Sequence, residues 1–118
     1  SGVQVGTALL CTPEATTGAA HRAALLSPRA ARTTLTNVFS GRPARGIVNR
    51  AVRELGPMSR LAPAFPLASL ALAPLRAAAE AQDRDDFTPL WCGQNVTSLS
   101  TAPAAEVLRD LLRAWRVS

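Results

Sequence analysis

The chain has 118 residues, the size of one ordinary domain, and 47% of them are hydrophobic. Its net charge of +5 rests on 13 basic residues that are all arginine, and these are spread from Arg22 to Arg116 instead of forming the clustered basic face typical of nucleic-acid binding. Two cysteines, Cys11 and Cys92, are too few for a disulfide scaffold and indicate a reducing, cytoplasmic setting, and no apolar run approaches membrane-spanning length.

Local patterns predict two strands and five helical segments. In chain order these are a strand at residues 3–5, a short helical segment at 8–15, a helix at 18–27, a strand at 33–39, a helix at about 44–55, a helix at about 67–81 that contains Pro74, and a helix at 103–115. Gly56 followed by Pro57 is the usual order at a helix end. The last helix is the clearest, because its apolar residues fall on one face. These are Val107, Leu108, Leu111, Leu112 and Trp115.

The segment VQVGT, residues 3–7, is a candidate phosphate site. A strand that ends in Gly6 and Thr7 presents backbone N–H groups and a hydroxyl to an anion. The alternative is that Gly6 and Thr7 form an ordinary turn after a strand. The pattern is short, so it does not decide between a turn and a binding site.

The segment SGRPARG, residues 40–46, offers a second candidate anion site through Arg42 and Arg45. The alternative is a glycine-hinged loop that leads into a helix, with both guanidinium groups in solvent or paired with local carboxylates.

The segment LWCGQ, residues 90–94, places an indole and an amide in one loop. Trp91 supplies a flat apolar surface and Gln94 a hydrogen-bonding group, which together suit a ring-binding pocket; the alternative is that Trp91 anchors a core. Phe87 and Trp91 are expected to be exposed. The single histidine, His21, is expected on the surface or in helix packing, and one histidine with two separated cysteines predicts no metal site.

Taken together and in this order, these segments resemble the C-terminal portion of the nitronate monooxygenases, formerly called 2-nitropropane dioxygenases. The matching stretches are VQVGTALLCTPEA, AHRAALL, TTLTNVFSGRPARGIVNR, FPLASLALAPLRAAA and LWCGQ. The resemblance implies an α/β fold in which residues 1–38 form the end of an FMN-binding (β/α)₈ TIM barrel, including its last strand. Residues 39–118 would form a mostly helical extension that packs on the barrel, so the chain would be a fragment of a larger single enzyme.

The resemblance also implies an activity and a cofactor. Nitronate monooxygenases bind FMN and oxidise alkyl nitronates with O₂ to a carbonyl compound and nitrite. The family's phosphate-binding segment corresponds here to Gln4, Val5, Gly6 and Thr7. Its catalytic histidine lies upstream of this chain, so no catalytic residue is assigned. The expected partners are the nitronate, O₂ and the missing N-terminal barrel portion, with no nucleic acid and no membrane.

Three alternatives remain from the sequence. Flavin-dependent enoyl-ACP reductases share a related barrel and a similar V-Q-x-G-T segment. The second alternative is an inactive fragment, and the third is a small Arg-rich binding module. On the favoured interpretation, loops that carry Arg42, Arg45, Trp91 and Gln94 cover or buttress the flavin end of the barrel. The isolated chain is then expected to bind FMN poorly and to lack activity, because one barrel strand has no partners.

Overall fold

The computed structural model describes residues 2–116, without the side chains of Ala114 and Arg116. Its helices are α1 (Ala19–Leu25), α2 (Arg50–Leu55), α3 (Ala68–Glu80) and α4 (Ala104–Arg116), with short 3₁₀ helices at Thr7–Leu9 and Pro28–Ala31. Its strands are β1 (Thr33–Thr36) and β2 (Ala44–Ile47), which pair antiparallel with Thr33 opposite Ile47 and Thr36 opposite Ala44. Within residues 2–116, no helix is long and apolar enough to cross a membrane.

The strand predicted at residues 3–5 is not formed. Residues 2–6 have no regular secondary structure, and within the described part of the chain no strand pairs with them. A strand is held by hydrogen bonds to a neighbouring strand, so an extended segment without one is not a strand. The helical segment predicted at 8–15 is also wrong in extent, because only the 3₁₀ helix Thr7–Leu9 forms in this described stretch.

The stretch from residue 33 to residue 55 differs most from its prediction. The strand expected at 33–39 stops at Thr36, and the helix expected from residue 44 is replaced first by β2. Helix α2 begins only at Arg50, where the Asn49 side chain caps it by accepting a hydrogen bond from the Val52 N–H at 3.3 Å. Pairing with β1 therefore overrides the helical spacing of residues 44–48.

The other helices agree with the sequence to within two residues at each end. Helix α1 was expected at 18–27, α3 at 67–81 with Pro74 inside it, and α4 at 103–115. Gly56 ends α2, as the Gly56–Pro57 order predicts. These segments have strong local signals, which is why no tertiary contact was needed to locate them.

Two hydrophobic clusters lie in the described part of the chain. The first cluster consists of Cys11, Ala24, Leu25, Ala30, Ile47, Leu90 and Cys92. The second cluster consists of Val38, Phe39, Ala51 and Val52, with Phe87 and Trp91 packed against it. Phe87 and Trp91 were expected to be exposed, but both are half-buried. The Phe39 and Trp91 rings meet edge to face with their centroids 5.8 Å apart.

The LWC segment, residues 90–92, lies along β2 in the manner of a third strand. The Ile47 N–H donates to the Leu90 carbonyl at 2.8 Å, and the Cys92 N–H donates to the Arg45 carbonyl at 3.1 Å. Gly46 and Trp91 form an antiparallel bridge between these two bonds. This pairing brings the third sequence motif onto the strand that carries the second.

Candidate functional site

Three of the sequence motifs meet at one open pocket of about 340 Å³. The VQVGT segment contributes Gly6 and Thr7, SGRPARG contributes Arg45, and LWCGQ contributes Trp91 and Gly93. Leu10 and Cys92 complete the lining, and no sequence signal had singled them out for this role. We define these seven residues as the Thr7 pocket.

A direct hydrogen bond joins the first motif to the third. The Gly93 N–H donates to Thr7 Oγ1 at 2.8 Å, across 86 positions of sequence. A Cβ on residue 93 would lie 3.3 Å from that oxygen, so glycine permits the close approach. Because Oγ1 accepts this bond, the hydroxyl of Thr7 retains its own proton for an acceptor in the pocket.

Gly46 sets the distance between β2 and the LWC segment. A Cβ at this position would lie 3.0 Å from the Leu90 carbonyl oxygen and 3.6 Å from Cε3 of Trp91. The first of these separations is tighter than ordinary contact between non-bonded atoms. The glycine therefore allows the pairing that places Arg45 and Trp91 in the same pocket.

The structure separates the two arginines that the sequence had treated together. Arg45 is half-buried, lines the Thr7 pocket and donates from Nη1 to Thr33 Oγ1 at 3.2 Å. Arg42 is exposed in the loop between β1 and β2, with its guanidinium carbon 4.6 Å from the centre of the Phe65 ring. Only one of the two candidate arginines lies where Gly6 and Thr7 are.

The remaining predicted site residues lie outside the Thr7 pocket. Gln4 and Gln94 are exposed and do not line it. Val5 lies instead in an apolar groove of about 580 Å³ between the N-terminal segment and α4. Of the four residues expected to hold a phosphate, Gly6 and Thr7 are thus in the pocket, and Gln4 and Val5 are not.

His21 holds the LWC segment from the side of α1. Its Nε2 lies 2.8 Å from the backbone oxygen of Trp91, and because a carbonyl only accepts, Nε2 carries the proton. Burial lowers the pKa of His21, and the positive charge of Arg76 also lowers it. The hydrogen bond to Trp91 raises the pKa, but by less than burial lowers it. His21 was expected on the surface or in helix packing; it is half-buried and contacts a non-helical segment, and this partner lies 70 residues away with no local sequence signal.

Neither cysteine is placed as a nucleophile. Cys11 and Cys92 are both buried and unbridged. Burial raises the pKa of each thiol, which keeps the thiols protonated at neutral pH. Within residues 2–116, no group of three or more His, Cys, Asp or Glu side chains is arranged to hold a metal ion.

The profile of the family described as Nitronate monooxygenase matches residues 1–114. The chain belongs to the nitronate monooxygenase family. It is 43% identical to the nitronate monooxygenase of Pseudomonas aeruginosa over 117 residues, which cover 98% of this chain and 33% of that protein. It is 34% identical to a probable nitronate monooxygenase of Bacillus subtilis over 111 residues, which cover 94% of this chain and 32% of that protein.

One solved structure also matches nearly the whole of this chain. The nitroalkane oxidase of Streptomyces ansochromogenes is 40% identical and superposes with a TM-score of 0.81, over 93% of this chain and 31% of that one. The chain thus spans about a third of the length of the nitronate monooxygenases that it matches, and corresponds to a C-terminal portion of the family.

Proposed function

We propose that this chain is the C-terminal part of an FMN-dependent nitronate monooxygenase, which oxidises alkyl nitronates with O₂ to a carbonyl compound and nitrite. Family membership supports the reaction class. The observation that carries the cofactor assignment is the Thr7 pocket, where a hydroxyl with an available proton lies beside Gly6. FMN, when bound, would supply the redox chemistry.

The residues of the Thr7 pocket fit the phosphate end of a flavin nucleotide. Phosphate oxygens are acceptors that favour hydroxyl and backbone N–H donors, and the pocket offers the hydroxyl of Thr7 next to Gly6. Apart from its chain neighbours, no atom of the described chain lies within 4 Å of the point where a Cβ of Gly6 would be, which leaves room for a ligand beside Thr7. We therefore propose that the segment Gln4, Val5, Gly6 and Thr7 meets the phosphate through Gly6 and Thr7, the two of its residues that line the pocket, with Thr7 as its side-chain donor.

We also propose the setting in which this site works. The rest of a family member would supply the other barrel strands, with residues 1–38 as the end of the barrel and 39–118 as the extension. The substrate would be a small nitronate, with O₂ as the oxidant. Two buried free cysteines support a cytoplasmic location, and pairing of Arg29, Arg50 and Arg76 with carboxylates argues against a nucleic-acid-binding face.

The test replaces Thr7 in the complete protein and measures the FMN dissociation constant by flavin fluorescence. A hydrogen bond to a charged group contributes about 1.5–3 kcal/mol, so Thr7→Val is expected to weaken FMN binding at least about tenfold. Thr7→Ser is the matched control, because it keeps the hydroxyl and with it the acceptor for the Gly93 N–H.

Unchanged FMN affinity in Thr7→Val would contradict the assigned site. Assays with an alkyl nitronate and O₂, and with an enoyl thioester and NAD(P)H, test the reaction itself. Turnover of the enoyl thioester without turnover of the nitronate would replace the proposed activity by that of a reductase.

A further inference from the structure

We propose that α4 belongs to the outer layer of the barrel, and that an apolar helix face from the upstream part of the same polypeptide covers the groove beside it. The presence of a barrel rests on the proposed function. The groove, about 580 Å³ in volume, lies between α4 and the start of the chain. We call it the α4 groove, and its lining residues are Gly2, Val3, Val5, Leu108, Leu111, Leu112 and Trp115.

Contacts with the first 14 residues of the chain hold α4 in place. The helix packs against the 3₁₀ helix Thr7–Leu9. At its start, the Ala104 N–H donates to both carboxylate oxygens of Glu14, at 3.2 and 3.1 Å and across 90 positions of sequence. The carboxylate satisfies an amide that has no partner inside the helix, and its negative charge suits the positive end of the helix dipole. The anchors of α4 therefore lie in the segment that precedes the extension.

Helix α4 has one apolar face and one charged face. Leu108, Leu111 and Leu112 line the α4 groove. On the other side of the helix, Asp110 pairs with Arg113, and these two side chains are 72% and 76% exposed. A helix in the outer ring of a barrel has this pattern, because it packs on the strands with one face and meets water with the other.

The residues across the groove from α4 alternate as a strand does. Val3 and Val5 line the α4 groove, whereas Gln4 between them does not. Alternate side chains of a strand face the same way, so this segment has the pattern of a strand, although within the described residues no strand pairs with it. In a (β/α)₈ barrel, each strand is followed by a helix of the outer ring. Helix α4 takes the place of the helix that follows the last strand.

This placement of α4 changes the boundary of the extension. Residues 8–103 would leave the barrel after its last strand, and the chain would return to the barrel at α4. The extension would then be residues 39–103 and not 39–118. Loops that follow barrel strands lie on the face where barrel enzymes have their active sites. The Thr7 pocket, whose lining lies within residues 6–93, would be on that face.

The length of the family identifies what covers the α4 groove. Val3 and Leu112 are 66% and 55% exposed, and proteins usually cover an apolar surface of this kind. The chain covers 33% of the Pseudomonas aeruginosa nitronate monooxygenase and corresponds to a C-terminal portion of the family, so most of a family member lies upstream. When a barrel closes, its last helix lies beside helices of earlier units. The upstream part of the polypeptide therefore supplies the apolar face that fills the groove.

The experiment measures how fast a maleimide reacts with single cysteines introduced on α4 of the complete protein. Leu108→Cys places a thiol in the α4 groove, and Arg113→Cys, on the charged face, is the matched control. The thiol at position 108 is expected to react at least about tenfold more slowly than the thiol at 113, because a covered side chain reacts only when the structure opens locally. In urea the two rates should be equal.

Two further measurements complete the design. Leu112→Cys repeats the test from a second position in the α4 groove, so that the test does not depend on one variant folding. Wild-type protein labelled in parallel gives the background rate of the native thiols. Size-exclusion chromatography shows that each variant is folded before it is labelled.

Equal labelling rates in the grooved and control positions of the folded protein would overturn the inference, because the α4 groove would then be open to water. Protection that is lost when the protein is diluted would assign the groove to a second copy and would also reject it. FMN binding and nitronate turnover are measured on the same samples. Protected thiols without FMN binding or turnover would contradict the proposed function alone, and turnover with unprotected thiols would contradict the inference alone.

Discussion

At the scale of single residues, Gly41 shows how one position sets the shape of the SGRPARG segment. Its φ of +88° lies in the left-handed region, where a side chain is strained. A Cβ there would overlap the backbone carbonyl of Pro63 and lie 2.5 Å from the Phe65 nitrogen. The glycine thus lets the loop after β1 pack on residues 63–65, which also places Phe65 under Arg42.

Gly41→Ala is expected to destabilise the protein by about 1–3 kcal/mol, because the strained φ and the overlap with residues 63–65 must both be relieved. Thermal unfolding measures the change. Gly2→Ala is the control: apart from its chain neighbours, no atom of the described structure lies within 4 Å of the position that its Cβ would take, so the melting temperature should not move. Equal melting temperatures for Gly41→Ala and wild type would show that the loop can open at no cost.

At the scale of secondary-structure elements, Asn49 joins α2 to the turn that precedes the LWC segment. It is 1% exposed, and its Nδ2 donates to the backbone carbonyls of Asp85 and Thr88, each at 2.9 Å. Its Oδ1 accepts from the Val52 N–H as the cap of α2. One buried side chain therefore starts α2 just after β2 and holds the 85–88 turn in place.

Asn49→Ala is expected to cost at least about 2 kcal/mol, because it removes three hydrogen bonds and leaves buried carbonyl groups without a donor. Chemical denaturation checks this value. Asn95→Ala is the comparison: Asn95 is exposed and accepts hydrogen bonds from Thr97 within its own turn, so a change within about 0.5 kcal/mol is expected. Similar losses for the two variants would contradict the joining role of Asn49.

At the scale of the whole molecule, the described chain is more extended than an ordinary domain. Its radius of gyration is 15.4 Å, whereas a compact domain of this length has about 13.5 Å. The apolar face predicted on α4 is only partly covered: Val107 is buried, but Leu108 and Leu112 are 44% and 55% exposed. Leu108 and Leu112 line the groove of about 580 Å³ together with Val3 and Val5. Proteins usually cover an apolar surface of this kind.

The isolated 118-residue chain is therefore expected to bind FMN weakly, to show no nitronate oxidation and to bind a dye for apolar surfaces such as 8-anilinonaphthalene-1-sulfonate. Leu108→Gln combined with Leu112→Gln should reduce dye binding several-fold, since both side chains line the groove. Arg109→Gln, on the same helix but outside the groove, is the control. Clear nitronate oxidation by the isolated chain would refute the expectation that the activity needs the rest of a family member.

The candidate site was predictable in its parts but not in its assembly. Gly6, Thr7, Arg45 and Trp91 were each singled out from short motifs, yet the same reasoning included Arg42, which lies elsewhere. A short motif shows that residue types suited to a ligand are present. Whether two motifs lie at the same site depends on contacts between them, such as the Thr7–Gly93 hydrogen bond across 86 positions. Local windows of sequence do not contain that information.

By itself, the sequence determined the family, the positions of α1, α3 and α4, and the end of α2 at Gly56. These follow from residue order, helical periodicity and the backbone preferences of glycine and proline, all of which act locally. Only the tertiary structure decided that residues 44–47 form β2, that residues 3–5 form no strand here, and that Gly93 bonds Thr7. The physical reason is that a strand forms only when it pairs with another strand, and a site forms only where several chain segments come together. Both depend on contacts between residues that are distant in sequence.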